Sequence, residues 1–216
     1  VGYNALGDGV LTGINNIGIG SLPGNALTTG ICNISIGTCA LGASTTGCLN
    51  VAIGNLAMGT GVTTGIVNVG IGPSALGAVT SGISNVGIGG WAADLITTGK
   101  CNVAIGHDAM GTSTTGCLNI AIGNIALGGA DTTGINNVAI GTTALDALTT
   151  GICNVAIGTN ALGASTTGCH NIAIGDSALG VAVTTGIDNI GIGTSAADAL
   201  TTGKCNVALG YNALGA

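Results

Sequence analysis

A chain of 216 residues with 43 glycines, 46% hydrophobic residues, one Trp, two Tyr and no Phe has little with which to fill an ordinary globular core. Its charged residues are 5% and its net charge is −6, with Lys100 and Lys204 the only cations, so the basic surface required by nucleic acid is missing. Disordered chains combine low hydrophobicity with high charge, which is the opposite pattern. Gly, Asn or Thr interrupts each apolar run well short of the roughly 20 residues of a spanning helix, so no membrane insertion is expected.

In chain order the sequence is one motif repeated. Residues 1–15 fit the end of an 18-residue unit, and complete units then open at Asn16, Asn33, Asn50, Asn68, Asn85, Asn102, Asn119, Asn137, Asn154, Asn171, Asn189 and Asn206, in steps of 17 or 18. Each unit reads approximately N-[VI]-[AGS]-[IL]-G-x-x-A-[LM]-x-x-x-T-T-G-x-x, the longer ones adding a residue before the threonines. A higher period is superimposed: 16–67, 85–136 and 137–188 are 52-residue super-repeats of three units, 68–84 is an extra unit, and a fourth block opens at Asn189. Repetition at this period marks a solenoid. The whole of 1–216 is therefore expected to be one continuous array, cut from a longer one, without a secretory leader at Val1.

Within a unit, two or three glycines and β-branched clusters oppose helix. The segment Asn-Val-Ala-Ile-Gly alternates as a strand, with Val and Ile on one face and Asn and Ala on the other. The Val/Ile face is expected to be core. Gly at position five suits a sharp corner, Ala-Leu supplies a second apolar patch, and Thr-Thr-Gly reads as strand end plus turn. The fold class expected is all-β: a parallel β-solenoid with one coil per repeat, about 12 coils, and a length of about 60 Å at the usual strand spacing.

Position three is always small. Another backbone is expected to pack closely against that face, either a second chain of an oligomer, with a trimer favoured, or the coil's own tight corner. The twelve unit-opening asparagines are expected to stack as an amide ladder along the axis. The threonines could stack likewise, but neighbouring strand residues face opposite ways, so one of each Thr pair is expected to form an outward rank. Such a rank carries a minor reading as an ice-binding face.

Eight cysteines supply the remaining chemistry. Cys32, Cys101, Cys153 and Cys205 close the first coil of successive blocks, while Cys48, Cys117 and Cys169 are penultimate in the second coil. Partners 16 residues apart fall on adjacent coils, with a Cα separation of about 5–6 Å. Intrachain disulfides Cys32–Cys48, Cys101–Cys117 and Cys153–Cys169 are expected, with interchain bonds, free thiols or metal ligation as the alternatives. Cys205 and Cys39 are left unpaired or intermolecular. Disulfides would imply an oxidising, extracellular setting. Zinc spacings such as CxxC do not occur, and His107 and His170 occupy different unit positions, so no metal site is expected.

Three motifs are discounted. Gly70-Ile-Gly72, Gly87-Ile-Gly89 and Gly191-Ile-Gly193 mimic a dinucleotide fingerprint, but they are the repeat with Gly at position three. Asn33-Ile-Ser35 matches a glycosylation acceptor, but its Asn is a ladder residue. The acids Asp8, Asp94, Asp108, Asp131, Asp146, Asp176, Asp188 and Asp198 are scattered, and His107-Asp108 is a poor acid/base pair because neighbouring side chains diverge. Trp91 and Cys39 share a variable, exposed position. No enzyme activity and no cofactor are expected.

Copies such as Asn50-Val-Ala-Ile-Gly54, Asn102-Val-Ala-Ile-Gly106 and Asn154-Val-Ala-Ile-Gly158 resemble the head repeats of YadA-type trimeric autotransporter adhesins and related phage and giant-virus fibre repeats. The adhesin repeat is shorter, lacks Thr-Thr-Gly and is not cysteine-rich. The resemblance implies a left-handed, trimeric β-roll on an extracellular, cell-surface or virion fibre that serves attachment to an unspecified receptor. The expected function is a structural or adhesive fibre shaft or head, the alternative being a self-assembling filament without receptor binding.

Overall fold

The computed structural model describes residues 1–7 and 11–215. Among them no helix occurs, and every strand is three residues long. These are β1 (Ile17–Ile19), β2 (Ile34–Ile36), β3 (Val51–Ile53), β4 (Val69–Ile71), β5 (Val86–Ile88), β6 (Val103–Ile105), β7 (Ile120–Ile122), β8 (Val138–Ile140), β9 (Val155–Ile157), β10 (Ile172–Ile174), β11 (Ile190–Ile192) and β12 (Val207–Leu209). They form one parallel sheet in chain order. Each strand pairs with the equivalent residues one unit on, Ile17 with Ile34 and Val51 with Val69, so every repeat is one coil of a β-solenoid.

The 17-residue and 18-residue steps preserve the same strand register because the extra residue bulges outward. Val62 and Val183 occupy that place and are more than half exposed. The residue after the bulge turns in: Thr63, Thr132 and Thr184 are buried where the shorter coils bury Ser44, Ser113 and Ser165.

Gly at position five cannot be replaced without moving the next coil. Gly54 has φ +139°, and a Cβ built on it would lie 2.5 Å from the Gly72 carbonyl oxygen. Ordinary residues also take left-handed backbone at position seven, position nine and the last position of most coils, among them Leu56 (φ 56°), Met58 (φ 47°) and Val67 (φ 61°). Each such residue costs roughly 1–2 kcal/mol. The continuous coil-to-coil hydrogen bonding opposes that cost. Met58 N–H donates to Ala75 O at 3.0 Å and Val67 N–H to Cys48 O at 3.1 Å.

The core overturns the expected orientation of the strands. Alternation is present, but its inside and outside are exchanged. Ala104 and Ala121 are fully buried, whereas Ile105 and Ile122 are 37% and 36% exposed. The interior is built from position-three Ala, the Ala-Leu or Ala-Met pair, such as Ala126-Leu127, and one side chain from the third side, such as Val79, Ile96 and Leu148. A coil this narrow has no space for branched residues at position three. At Gly70 even a Cβ would come within 2.9 Å of the Ala75 carbonyl oxygen. The backbone that position three meets is thus that of its own coil, and the small residues there carry no argument for a second chain.

Candidate functional site

Among the described residues there is no pocket, and no group of three His, Cys or Asp is placed to hold a metal ion.

The asparagine ladder is internal. Asn102 donates its backbone N–H and its Nδ2 to Asn85 Oδ1 at 3.1 and 3.0 Å, donates again from Nδ2 to Gly116 O at 2.7 Å, and accepts Asn119 N–H on Oδ1 at 3.0 Å. The backbone N–H to Oδ1 contact runs unbroken from Asn16 to Asn206. Asn33, the formal glycosylation acceptor, is fully buried with its amide engaged in this ladder.

An interior column of hydroxyls went unread in the sequence. Ser44 Oγ donates to Thr63 O at 3.1 Å, and Thr63 Oγ1 to Val79 O at 3.0 Å. The next blocks repeat this, with Ser113 donating to Thr132 O at 2.8 Å and Thr132 to Leu148 O at 2.8 Å. Within each block the column runs apolar, Ser, Thr, as in Ile96, Ser113 and Thr132. This gives the 52-residue period a physical content, and the signal was available as a three-unit alternation at one position.

Outside, the strands present two parallel rows of Val and Ile along all twelve coils. They are half-exposed and uncharged, and at about 4.8 Å per coil they extend roughly 50 Å.

The third side carries the threonines. Both members of a pair lie toward solvent in the 17-residue coils: Thr97 is half-buried and Thr98 exposed, and Thr28 and Thr29 are both exposed. The chain bends at these residues instead of running as a pleated strand, which removes the alternation expected of them.

All eight cysteines carry free thiols in this structure. Cys48 is level with Ile31, whose N–H donates to its Sγ at 3.5 Å, while Cys32 is level with Asn15, whose Nδ2 lies 4.0 Å from its Sγ. The partners thus occupy neighbouring columns, and Cys32 takes left-handed backbone at φ 57°. Cys169 repeats the Cys48 arrangement, with Ile152 N–H 3.5 Å from its Sγ. Cys39 is half-buried and Cys205 exposed.

The acids do not assemble a reaction centre. Asp94 is held above the ordinary carboxylate range by burial and by Asp108, partly offset by a hydrogen bond from the Gly77 backbone. Asp146 is raised by burial first, partly offset by the Gly129 backbone, and by Asp108. His107 turns away from Asp108 to meet Trp91 edge-on, with ring centroids 5.2 Å apart. Trp91 is 47% exposed. His170 and Asp188, in the same column of successive coils, approach to 3.8 Å in an exposed ion pair. Asp8 lies outside the described residues. The three dinucleotide-like segments are strands β4, β5 and β11 with their corners, and no helix follows them.

Compared with known proteins, the chain matches no family model, no curated protein and no solved structure.

Proposed function

We propose that the chain is a segment of an extracellular or virion fibre, a shaft or head that self-associates as a homotrimer or filament and presents its variable surface positions for attachment. The outward Val/Ile ladder carries this reading. Contiguous exposed apolar surface beyond a few hundred Å² marks an interaction site, and a flat double row about 50 Å long is on the scale of a standard interface. A second copy of the chain offers the matching repeat, so each rung meets an identical rung at the same spacing. Cohesion comes from the stacked ladders and the buried asparagines.

Light scattering after size exclusion tests the proposal. The chain should elute at a multiple of its 20.2 kDa. Ile105→Lys with Ile122→Lys, on the outward face of β6 and β7, should reduce it to a monomer with an unchanged circular dichroism spectrum. A wild-type chain that stays monomeric at high concentration, or a double variant that assembles normally, overturns the reading.

A further inference from the structure

We propose that the threonine face of the solenoid binds ice. The face is a different side of the coil from the Val/Ile ladder, and the inference does not depend on the fibre reading.

The inner threonine rank is held in register by the backbone. Thr64 N–H donates to Thr80 O at 2.7 Å, Thr80 N–H to Thr97 O at 3.0 Å and Thr97 N–H to Thr114 O at 2.9 Å. The side chains repeat the same contact. Thr64, Thr80 and Thr97 each donate Oγ1–H to the carbonyl of the next threonine, at 3.2, 3.1 and 3.3 Å. One donor and one acceptor recur at each step, so the hydroxyl oxygen and γ-methyl group repeat at the coil spacing of about 4.8 Å. Beside this rank stands an exposed second column, which includes Ser81, Thr98 and Thr115. The extra coil 68–84 contributes Thr80 and Ser81, and lengthens an unbroken run that ends where Asp131 takes the Thr114 N–H at 2.9 Å.

This arrangement suits a solid more than a soluble ligand. Among the described residues there is no pocket to surround a small molecule, and a single hydroxyl contact in water contributes little net free energy. Many such contacts made together become strong only if the partner repeats at a comparable spacing, because each later contact is then intramolecular. Side chains already fixed by hydrogen bonds lose little entropy on contact. The rank offers oxygen acceptors and methyl groups with little charge to hold disordered water, and the solid whose surface is itself a lattice of water hydrogen-bond groups is ice.

Thermal hysteresis and ice-crystal shape, recorded on the intact chain beside Thr80→Lys with Thr97→Lys, test the proposal. Both positions reach solvent, and circular dichroism verifies that the fold survives. The wild type should show a freezing-point gap and faceted crystals. The double variant should lose about tenfold of the gap, as expected when one multivalent run is broken. Round crystals with no gap for the wild type overturn the proposal, as does a folded double variant with full activity. Binding to crystalline cellulose through these threonines with no effect on ice also overturns it.

Discussion

At the residue scale the costs of the fold are concentrated in left-handed backbone. Val67 is a β-branched residue at φ 61°, and Asn15 and Asn136 occupy the same column at φ 61° and 59°. Asn tolerates this conformation far better than Val. Val67→Asn, on an exposed side chain, should therefore stabilise the chain by about 1 kcal/mol, read as a higher midpoint in urea. The half-buried carboxylates Asp94 and Asp146 give a pH signature. Asp94 and Asp146 have raised values in the folded state, so folding carries a penalty that is absent when both states are protonated and complete above the folded-state value. Asp94→Asn and Asp146→Asn should raise the thermal midpoint at neutral pH. That gain should disappear as the pH falls through the carboxylate range. A gain that persisted at about pH 3, below ordinary Asp values, would mean that charge burial is not its source.

At the element scale a single coil is held by its asparagine as much as by its strand. Asn102→Ala removes three hydrogen bonds and strands the Gly116 carbonyl and the Asn119 N–H inside. Each buried unpaired group costs about 1–3 kcal/mol, so a loss of roughly 3 kcal/mol or more is expected in equilibrium denaturation. The ladder was legible because Asn recurs at one position in every unit. So were strand positions, corner glycines and coil count, since period and composition alone determine them. The direction of the strand faces was not legible, because alternation names two faces without saying which is inside. Volume decides it, and position three with its Ala, Gly or Ser reports a narrow interior. The cysteine columns were legible too: a spacing of 16 against a coil of 17 puts the partners in neighbouring columns of adjacent coils, Cys48 level with Ile31 and Cys32 with Asn15. One outward threonine per pair is what the 18-residue coils show, with Thr63 buried and Thr64 exposed, whereas in the 17-residue coils a bend, unlike a strand, turns both side chains of a pair such as Thr28 and Thr29 the same way.

At the scale of the whole molecule, the solenoid buries Ala and Leu and displays Val and Ile along one side. This distinguishes it from a solenoid whose branched residues are its core, and the two arrangements predict opposite responses to mutation. Equilibrium unfolding of Ala121→Leu and Ile122→Thr, both made in an Ile105→Lys background so that assembly does not contribute, tests the arrangement most directly. Ala121→Leu, at a fully buried position, should overpack the coil and cost about 1–3 kcal/mol. Ile122→Thr, at a partly exposed one, should change stability by no more than about 0.5 kcal/mol. A tolerated Ala121→Leu together with a strongly destabilising Ile122→Thr would contradict the arrangement.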